Sequence, residues 1–291
     1  MITIVSHDAG GAKILLSLIK NEKDYYFCLS GPAKNIFKKK FKNIKISKIK
    51  DCIDKSRKIL TGTSWPSRFE IQAIILAKKK KIKTISYLDH WIHYKLRFYY
   101  RNRLFLPDEI WVGDKKALQI AKKNFENEKV KIKLKKNYYF INSIKETLSL
   151  KNKIKAENIL YICSPLNKNE FYKNNAHIFQ YNEKELLKYF LINIGKFKFK
   201  FKFKKLIIRP HPSEKLKKYK WAESFNKKIV ISNSNSLEND IASAKFIFGF
   251  NSNPLVISSF CKKKVFNVSP LGAKANILPF NKIKNFKDLI R

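Results

Sequence analysis

From its first residues the chain alternates short apolar runs with stretches of helical periodicity, and this alternation restricts its fold more than any other feature. Runs at Ile2 to Ser6, Tyr25 to Leu29, Lys58 to Gly62, Thr84 to Leu88 and Glu109 to Gly113 read as strands. Ala12 to Lys20, Ala33 to Lys40, Ser67 to Lys80 and Lys115 to Phe125 read as the helices between them. Apolar strands joined by helices form parallel sheets with crossover helices on both faces. A polar, Lys- and Asn-rich stretch around Lys145 to Asn158 interrupts the pattern and is the expected linker. The pattern then restarts, with strands expected at Ile159 to Cys163, Leu206 to Arg209, Ile229 to Ser232, Phe246 to Gly249 and Val265 to Val268. Helices are expected near Glu183 to Ile194, Leu237 to Ala244 and Pro254 to Cys261. The expected fold is α/β, with two doubly wound domains, residues 1–150 and 151–291, facing a central cleft.

A chain of 291 residues, 44% hydrophobic, has enough apolar surface for two such cores. Its formal net charge of +41 suggests a nucleic-acid partner, but the distribution argues otherwise. Of 63 basic residues only Arg57, Arg68, Arg97, Arg101, Arg103, Arg209 and Arg291 are arginine, and the lysines are spread over the whole chain. Base readout favours the bidentate guanidinium fork. Lys, Asn, Ile and Phe are enriched together and share AT-rich codons, so base composition accounts for the charge and no nucleic acid is expected. Cys28, Cys52, Cys163 and Cys261 stand apart, without metal-ligand spacing, which fits a reducing cytoplasm. Met1 to Val5 reads as a strand rather than a leader, and no apolar run approaches the length of a membrane span.

The tract from Lys196 to Lys205 alternates Lys and Phe strictly, so an extended chain would place Phe on one face and Lys on the other. The favoured reading packs the Phe face on its own domain. The alternative presses it into a bilayer while Lys meets anionic lipid, a peripheral contact at the inner face of the cytoplasmic membrane.

In open α/β sheets ligands bind outside the carboxyl ends of the strands, so the loops there hold the candidate site residues. Ser6-His7-Asp8-Ala9-Gly10-Gly11 joins an imidazole and a carboxylate to a glycine pair that lets backbone approach a ligand. Thr61-Gly62-Thr63-Ser64-Trp65-Pro66 and Leu88-Asp89-His90-Trp91 set aromatic rings beside hydroxyl, carboxylate and imidazole groups, the chemistry of a carbohydrate pocket. Asp89 as a helix cap and Trp91 as core are the competing readings. In the second half, Ser164 follows the first strand and Arg209-Pro210-His211-Pro212 follows the second, its prolines stiffening a turn that suits a diphosphate. Phe250-Asn251-Ser252-Asn253-Pro254 adds hydroxyl, amide and helix-terminal donors, with a simple N-cap as the alternative.

At Arg209 to Glu214 and Gly249 to Pro254 the chain resembles GT-B glycosyltransferases that carry a His-Pro motif and a Ser-containing strand-to-helix turn. Bacterial sialyltransferases, capsule polysaccharide transferases and CDP-glycerol glycerophosphotransferases are of this kind. The resemblance implies two Rossmann-like domains. The first would be the acceptor side, and the second would bind a nucleotide-activated sugar through His211 and Ser252. It implies an inverting transfer to a surface glycan, lipopolysaccharide or capsule, with no metal and no cofactor beyond the donor. The family's acidic base lies in a paired-acid-plus-Gly motif of the first domain; here His7-Asp8-Ala9-Gly10 stands in that place, leaving Asp8 as the candidate base and Asp89 as its alternate. Arg209, Asn251 and Ser164 complete the expected donor-phosphate group, and Gly10, Gly11, Ser64, Trp65, His90 and Trp91 the acceptor side. A polyol-phosphate transferase or nucleotide-sugar epimerase on the same scaffold is the second reading, and a basic nucleic-acid or lipid-binding protein the third.

Overall fold

The computed structural model describes residues 1–64, 67–166, 181–197, 202–270 and 278–290. The chain forms two compact units, Met1–Tyr139 and Phe140–Arg291.

The first unit is built on a six-stranded parallel sheet: β1 (Ile2–Ser6), β2 (Tyr25–Leu29), β3 (Lys58–Thr61), β4 (Lys83–Leu88), β7 (Glu109–Val112) and β8 (Lys131–Leu134), in the order β2-β1-β3-β4-β7-β8. A two-residue hairpin, β5 (Tyr99–Tyr100) with β6 (Arg103–Leu104), stands outside it. The helices are α1 (Ala9–Leu18), α2 (Gly31–Lys40), α3 (Ile49–Asp54), α4 (Phe69–Lys79) and α5 (Lys115–Asn124). β1 is buried from Thr3 onward and β4 from Thr84 onward, as central strands covered on both faces should be. Ile4, Leu15, Phe27, Phe37, Leu60, Ile85 and Tyr87 form one continuous core. The edge strand β8 alternates Lys with Ile and Leu and is largely exposed, a charged edge that resists further pairing.

The second unit repeats the plan with β9 (Asn158–Ile162), β10 (Leu206–Arg209), β11 (Ile229–Ile231), β12 (Ala244–Gly249), β13 (Lys264–Asn267) and β14 (Ile283–Asn285), ordered β11-β10-β9-β12-β13-β14. Counted from its own first strand this is 3-2-1-4-5-6, the Rossmann order. Its helices are α6 (Tyr138–Lys151), α7 (Glu183–Asn193), α8 (Leu237–Ser243) and α9 (Asn253–Phe260). The core is aromatic: Tyr161, Phe190, Phe248, Phe266 and Phe286 are all buried in one cluster. Rings of this size each contribute about 1.5–3 kcal/mol on burial.

Two expectations change. The stretch around Lys145 to Asn158 is not a linker throughout, because residues 145–151 are the C-terminal half of α6. The helix survives its polar composition because Ser143 and Thr147 are buried, with Thr147 Oγ1 donating to the Ser143 carbonyl at 2.8 Å and Ser143 bonded to Glu238. Second, α1 begins at Ala9 rather than Ala12, so the glycine pair lies within its first turn. Of the Lys-Phe tract, residues 198–201 lie outside the described residues. Phe197 packs among Phe246, Phe248, Phe266 and Phe286, with centroids 5.4–6.3 Å away, and Phe203 packs on the same core. For these two residues the domain-packing reading holds. No helix among the described residues is long and apolar enough to cross a membrane.

Candidate functional site

In the first sheet the chain leaves β1 on one side to form β2 and returns on the other to form β3, so the crevice opens beyond the carboxyl ends of β1 and β3. The loops after β1, β3 and β4 meet there. His7 Nδ1 lies 3.1 Å from Asp8 Oδ1 and 3.5 Å from Ser64 Oγ. Asp8 is the N-cap residue of α1, and its carbonyl receives the Ala12 amide at 2.9 Å. Its carboxylate takes no capping bond from that helix and turns instead to His7.

Asp89 completes the cluster and is not a helix cap. Its Oδ1 accepts from Arg97 Nη1 at 2.9 Å and from Thr63 Oγ1 at 3.3 Å. Arg97, 7% exposed, also donates to the Thr63 carbonyl at 2.8 Å. Burial pushes the Asp89 carboxyl above the usual carboxylate range against the pull of Arg97, with Asp8 adding to the rise. The glycines are explained by crowding. A Cβ on Gly10 would stand 2.5 Å from Asp89 Oδ2, and one on Gly11 would stand 3.2 Å from the Gly62 Cα. Gly31 closes the other side: it has φ +48°, and a Cβ there would lie 2.5 Å from His7 Nε2.

The structure thus brings His7, Asp8, Gly10, Gly11, Ser64 and Asp89 together. Trp65 lies outside the described residues. His90 meets the Trp91 ring edge-on at 5.8 Å. Trp91 itself corrects the sequence reading: it is buried, and its Nε1 donates to Asp114 Oδ2 at 2.8 Å, so its indole packs as core rather than as a surface for a sugar. Arg97 and Glu70 belong to the cluster without having been expected in it. Glu70 is on α4, and its Oε1 accepts the His7 amide at 2.8 Å. Neither has a local signal, since Arg97 arrives through a 3-10 turn (Lys95–Phe98) and Glu70 reads as the exposed face of a helix.

In the second sheet the reversal falls between β9 and β12, whose backbones pack tightly: a Cβ on Gly249 would sit 2.8 Å from the Ile162 carbonyl oxygen. Ser164 Oγ donates to the Phe250 carbonyl at 2.9 Å, tying the two loops together. Asn251 adopts φ +39°, and its amide donates to Asn267 Oδ1 at 2.8 Å. Ser252 is the N-cap residue of α9 by backbone geometry but makes no side-chain capping bond. Ser252 Oγ, Asn251 Oδ1 and Asn267 Nδ2 are all buried and make no hydrogen bond with the described residues. Buried polar atoms are ordinarily paired, and these three lie around the amino end of a proline-opened helix.

In the turn after β10, the Ser213 amide donates to His211 Nδ1 at 3.2 Å, and the Ser213 hydroxyl lies 2.9 Å from the same nitrogen. A backbone N–H can only donate, so a neutral His211 ring carries its proton on Nε2. Behind the turn, Glu214 accepts from Tyr219 at 2.5 Å and Lys218 at 2.6 Å, and Lys218 also bonds Glu183. Arg209 differs from expectation. Its Nη1 bonds the fully buried Asp240 carboxylate at 2.5 Å and the carbonyls of Asn235 and Ser236 at 3.1 and 3.2 Å. A carboxylate with no exposure requires a cation, and Arg209 is spent on that pairing instead of standing open at the strand end.

No protein-family model matches the sequence. No curated protein matches it either. The fold does have counterparts. The chain is similar to the UDP-GlcNAc 2-epimerase of Methanocaldococcus jannaschii, with TM-score 0.54 and 14% identity over 91% of this chain and 83% of the epimerase. It also aligns with the wall teichoic acid polymerase TagF, at TM-score 0.44 and 12% identity over 91% of this chain and 70% of the polymerase. The class that the fold defines is thereby set: an α/β protein of two parallel six-stranded sheets, GT-B-like.

Proposed function

We propose that the protein is a nucleotide-sugar-dependent glycosyltransferase, inverting and independent of metal and cofactor, acting on a surface-glycan acceptor such as lipopolysaccharide or capsule. The observation that carries this reading is the trio of unpaired buried atoms, Ser252 Oγ, Asn251 Oδ1 and Asn267 Nδ2, at the reversal point of a Rossmann-ordered sheet. A nucleotide sugar matches such a site: its diphosphate oxygens accept from the Ser252 hydroxyl, from Asn267 Nδ2 and from helix-terminal N–H groups, while Asn251 Oδ1, an acceptor, suits a hydroxyl of the ribose or the sugar. His211 Nε2–H adds a donor from the turn after β10. Arg209 acts one step back, holding the Ser232 to Asp240 segment to β10.

The first unit supplies the proton acceptor. Asp8, or Asp89 beside it, takes the proton of the acceptor hydroxyl as the oxygen attacks the anomeric carbon. The bond to the diphosphate breaks, and the nucleotide leaves with its charge met by the second unit's donors. General-base catalysis of this kind contributes about 10² to 10⁴ in rate.

Thermal unfolding with CMP, CDP, UDP and GDP tests the reading. One of them should raise the melting temperature in a concentration-dependent way, equivalent to about 2.7 kcal/mol at a hundredfold excess over Kd. No shift with any of the four would overturn it. The likeness to an epimerase favours a second reading, nucleotide-sugar epimerisation. The two separate on one measurement: a transferase turns its donor over in the presence of an acceptor, and an epimerase interconverts it without one.

A further inference from the structure

Glu70 is the most deeply placed carboxyl of the first unit's cluster. It lies in the first turn of α4, 3% exposed. A glutamate there has no reason to be buried on propensity alone, since the start of a helix favours an acid just as well from the surface. Its burial is explained by its contacts. Oε1 accepts the His7 amide at 2.8 Å, bridging α4 to the end of β1. Oε2 is buried and takes no hydrogen bond from the described residues. The groups facing it are Asp8 from the turn after β1, Asp89 from the loop after β4 and Cys28 from β2; among the described residues no cation pairs with it.

We propose that Glu70 is a positioning residue, whose carboxyl holds the His7 peptide and, through it, the side chains of His7 and Asp8. His7 is the pivot of the turn. Its amide is fixed by Glu70, its carbonyl receives the Ala33 amide at 3.1 Å, and its ring meets Asp8 and Ser64. Removing the Glu70 acceptor leaves the His7 amide without its partner, so the peptide can pivot about the bond that remains on it, from the Ser30 amide to the Ser6 carbonyl at 3.0 Å. The rotation carries the Asp8 carboxylate with it. Burial pushes the Glu70 carboxyl well above its usual range, and the charge of Asp8 pushes it in the same direction. A glutamine keeps an amide oxygen where Oε1 accepts the His7 amide, so it retains the bond that alanine and methionine remove.

The consequence for turnover rests on the transferase reading; the structural role does not. The test uses the full chain as Glu70→Gln, Glu70→Ala and Glu70→Met, the last filling the volume should the alanine variant fail to fold. The first measurement is the backbone amide resonance of His7 at neutral pH. It should keep its hydrogen-bonded downfield position in Glu70→Gln and move upfield in Glu70→Ala or Glu70→Met. An unmoved His7 amide in a folded Ala or Met variant overturns the inference. The second is steady-state turnover with the nucleotide sugar identified by thermal shift. Glu70→Gln should stay within about threefold of the parent, while Ala or Met lowers kcat at least tenfold with the donor KM unchanged. A purely structural loss would not be rescued by Gln with KM held constant, and equal loss in Gln and Ala overturns the positioning role. If the parent protein turns over no nucleotide sugar, the transferase reading fails, and the His7 amide still decides the role of Glu70.

Discussion

Arg97 Nη1 stands 2.9 Å from Asp89 Oδ1 and 2.8 Å from the Thr63 carbonyl, so a single guanidinium joins the loops after β3 and β4. Both partners are largely buried, with side-chain exposures of 7% and 11%. Breaking such a pair leaves an uncompensated charge. Arg97→Met is therefore expected to lower unfolding stability by about 3–5 kcal/mol. Adding Asp89→Asn should recover part of that loss, because the orphaned carboxylate goes with it. Equilibrium urea unfolding of the two variants checks both points.

The candidate base is tested at Asp8. Asp8→Asn preserves shape and removes the proton acceptor, so turnover should fall at least ~10²-fold. Nucleotide affinity should stay near that of the parent, since the proposed donor site lies in the other unit. Activity retained in Asp8→Asn and lost in Asp89→Asn would move the base to Asp89. Activity retained in both would end the mechanism. The same assay should be indifferent to EDTA.

His211 should matter to binding instead. His211→Ala removes the Nε2 donor and is expected to weaken nucleotide binding by about 1.5–3 kcal/mol, as for a hydrogen bond to a charged group. Calorimetric titration with the nucleotide that stabilises the protein measures this directly. Unchanged affinity in a folded variant would remove His211 from the site.

Gly249→Ala probes the approach of β12 to β9. The added methyl would lie 2.8 Å from the Ile162 backbone oxygen, which a rotamer change cannot relieve. A loss of about 1–3 kcal/mol is expected, with a lowered melting temperature as its signature.

Glu109 gives a pH dependence with a definite sign. Lys83 and Lys133 bond its carboxylate and hold its pKa down at about 2, against an ordinary value of 4.5. The folded state thus keeps the charged form longer than the unfolded chain does. The resulting stabilisation is fully present above pH 4.5 and is lost as the pH falls toward 2. Unfolding stability measured across that window should fall more gently in Glu109→Gln than in the parent.

Much of the fold is legible in the sequence. Apolar runs such as Leu206 to Arg209 and Phe246 to Gly249 end at the same residues as β10 and β12, because a strand buried on both faces needs an unbroken apolar sequence. Crossover helices between such runs dictate parallel sheets, and parallel sheets place their loops at the carboxyl ends. His7, Asp8, Asp89, His211 and Ser252 were accessible to that reasoning because each follows a strand directly.

What the sequence could not decide was pairing. Arg209 and Asp240 are 31 residues apart, Arg97 and Thr63 34, and His7 and Glu70 63. Periodicity carries no information at such separations. By local pattern Arg209 is open to a phosphate and Trp91 is a sugar platform; in the fold Arg209 pairs with the buried Asp240 and Trp91 Nε1 donates to Asp114. Local pattern is set by which residues suit a strand or a helix, and it survives in the sequence one element at a time. The partner of a buried charge is set by which loops the sheet order brings together, and only the folded chain contains that order.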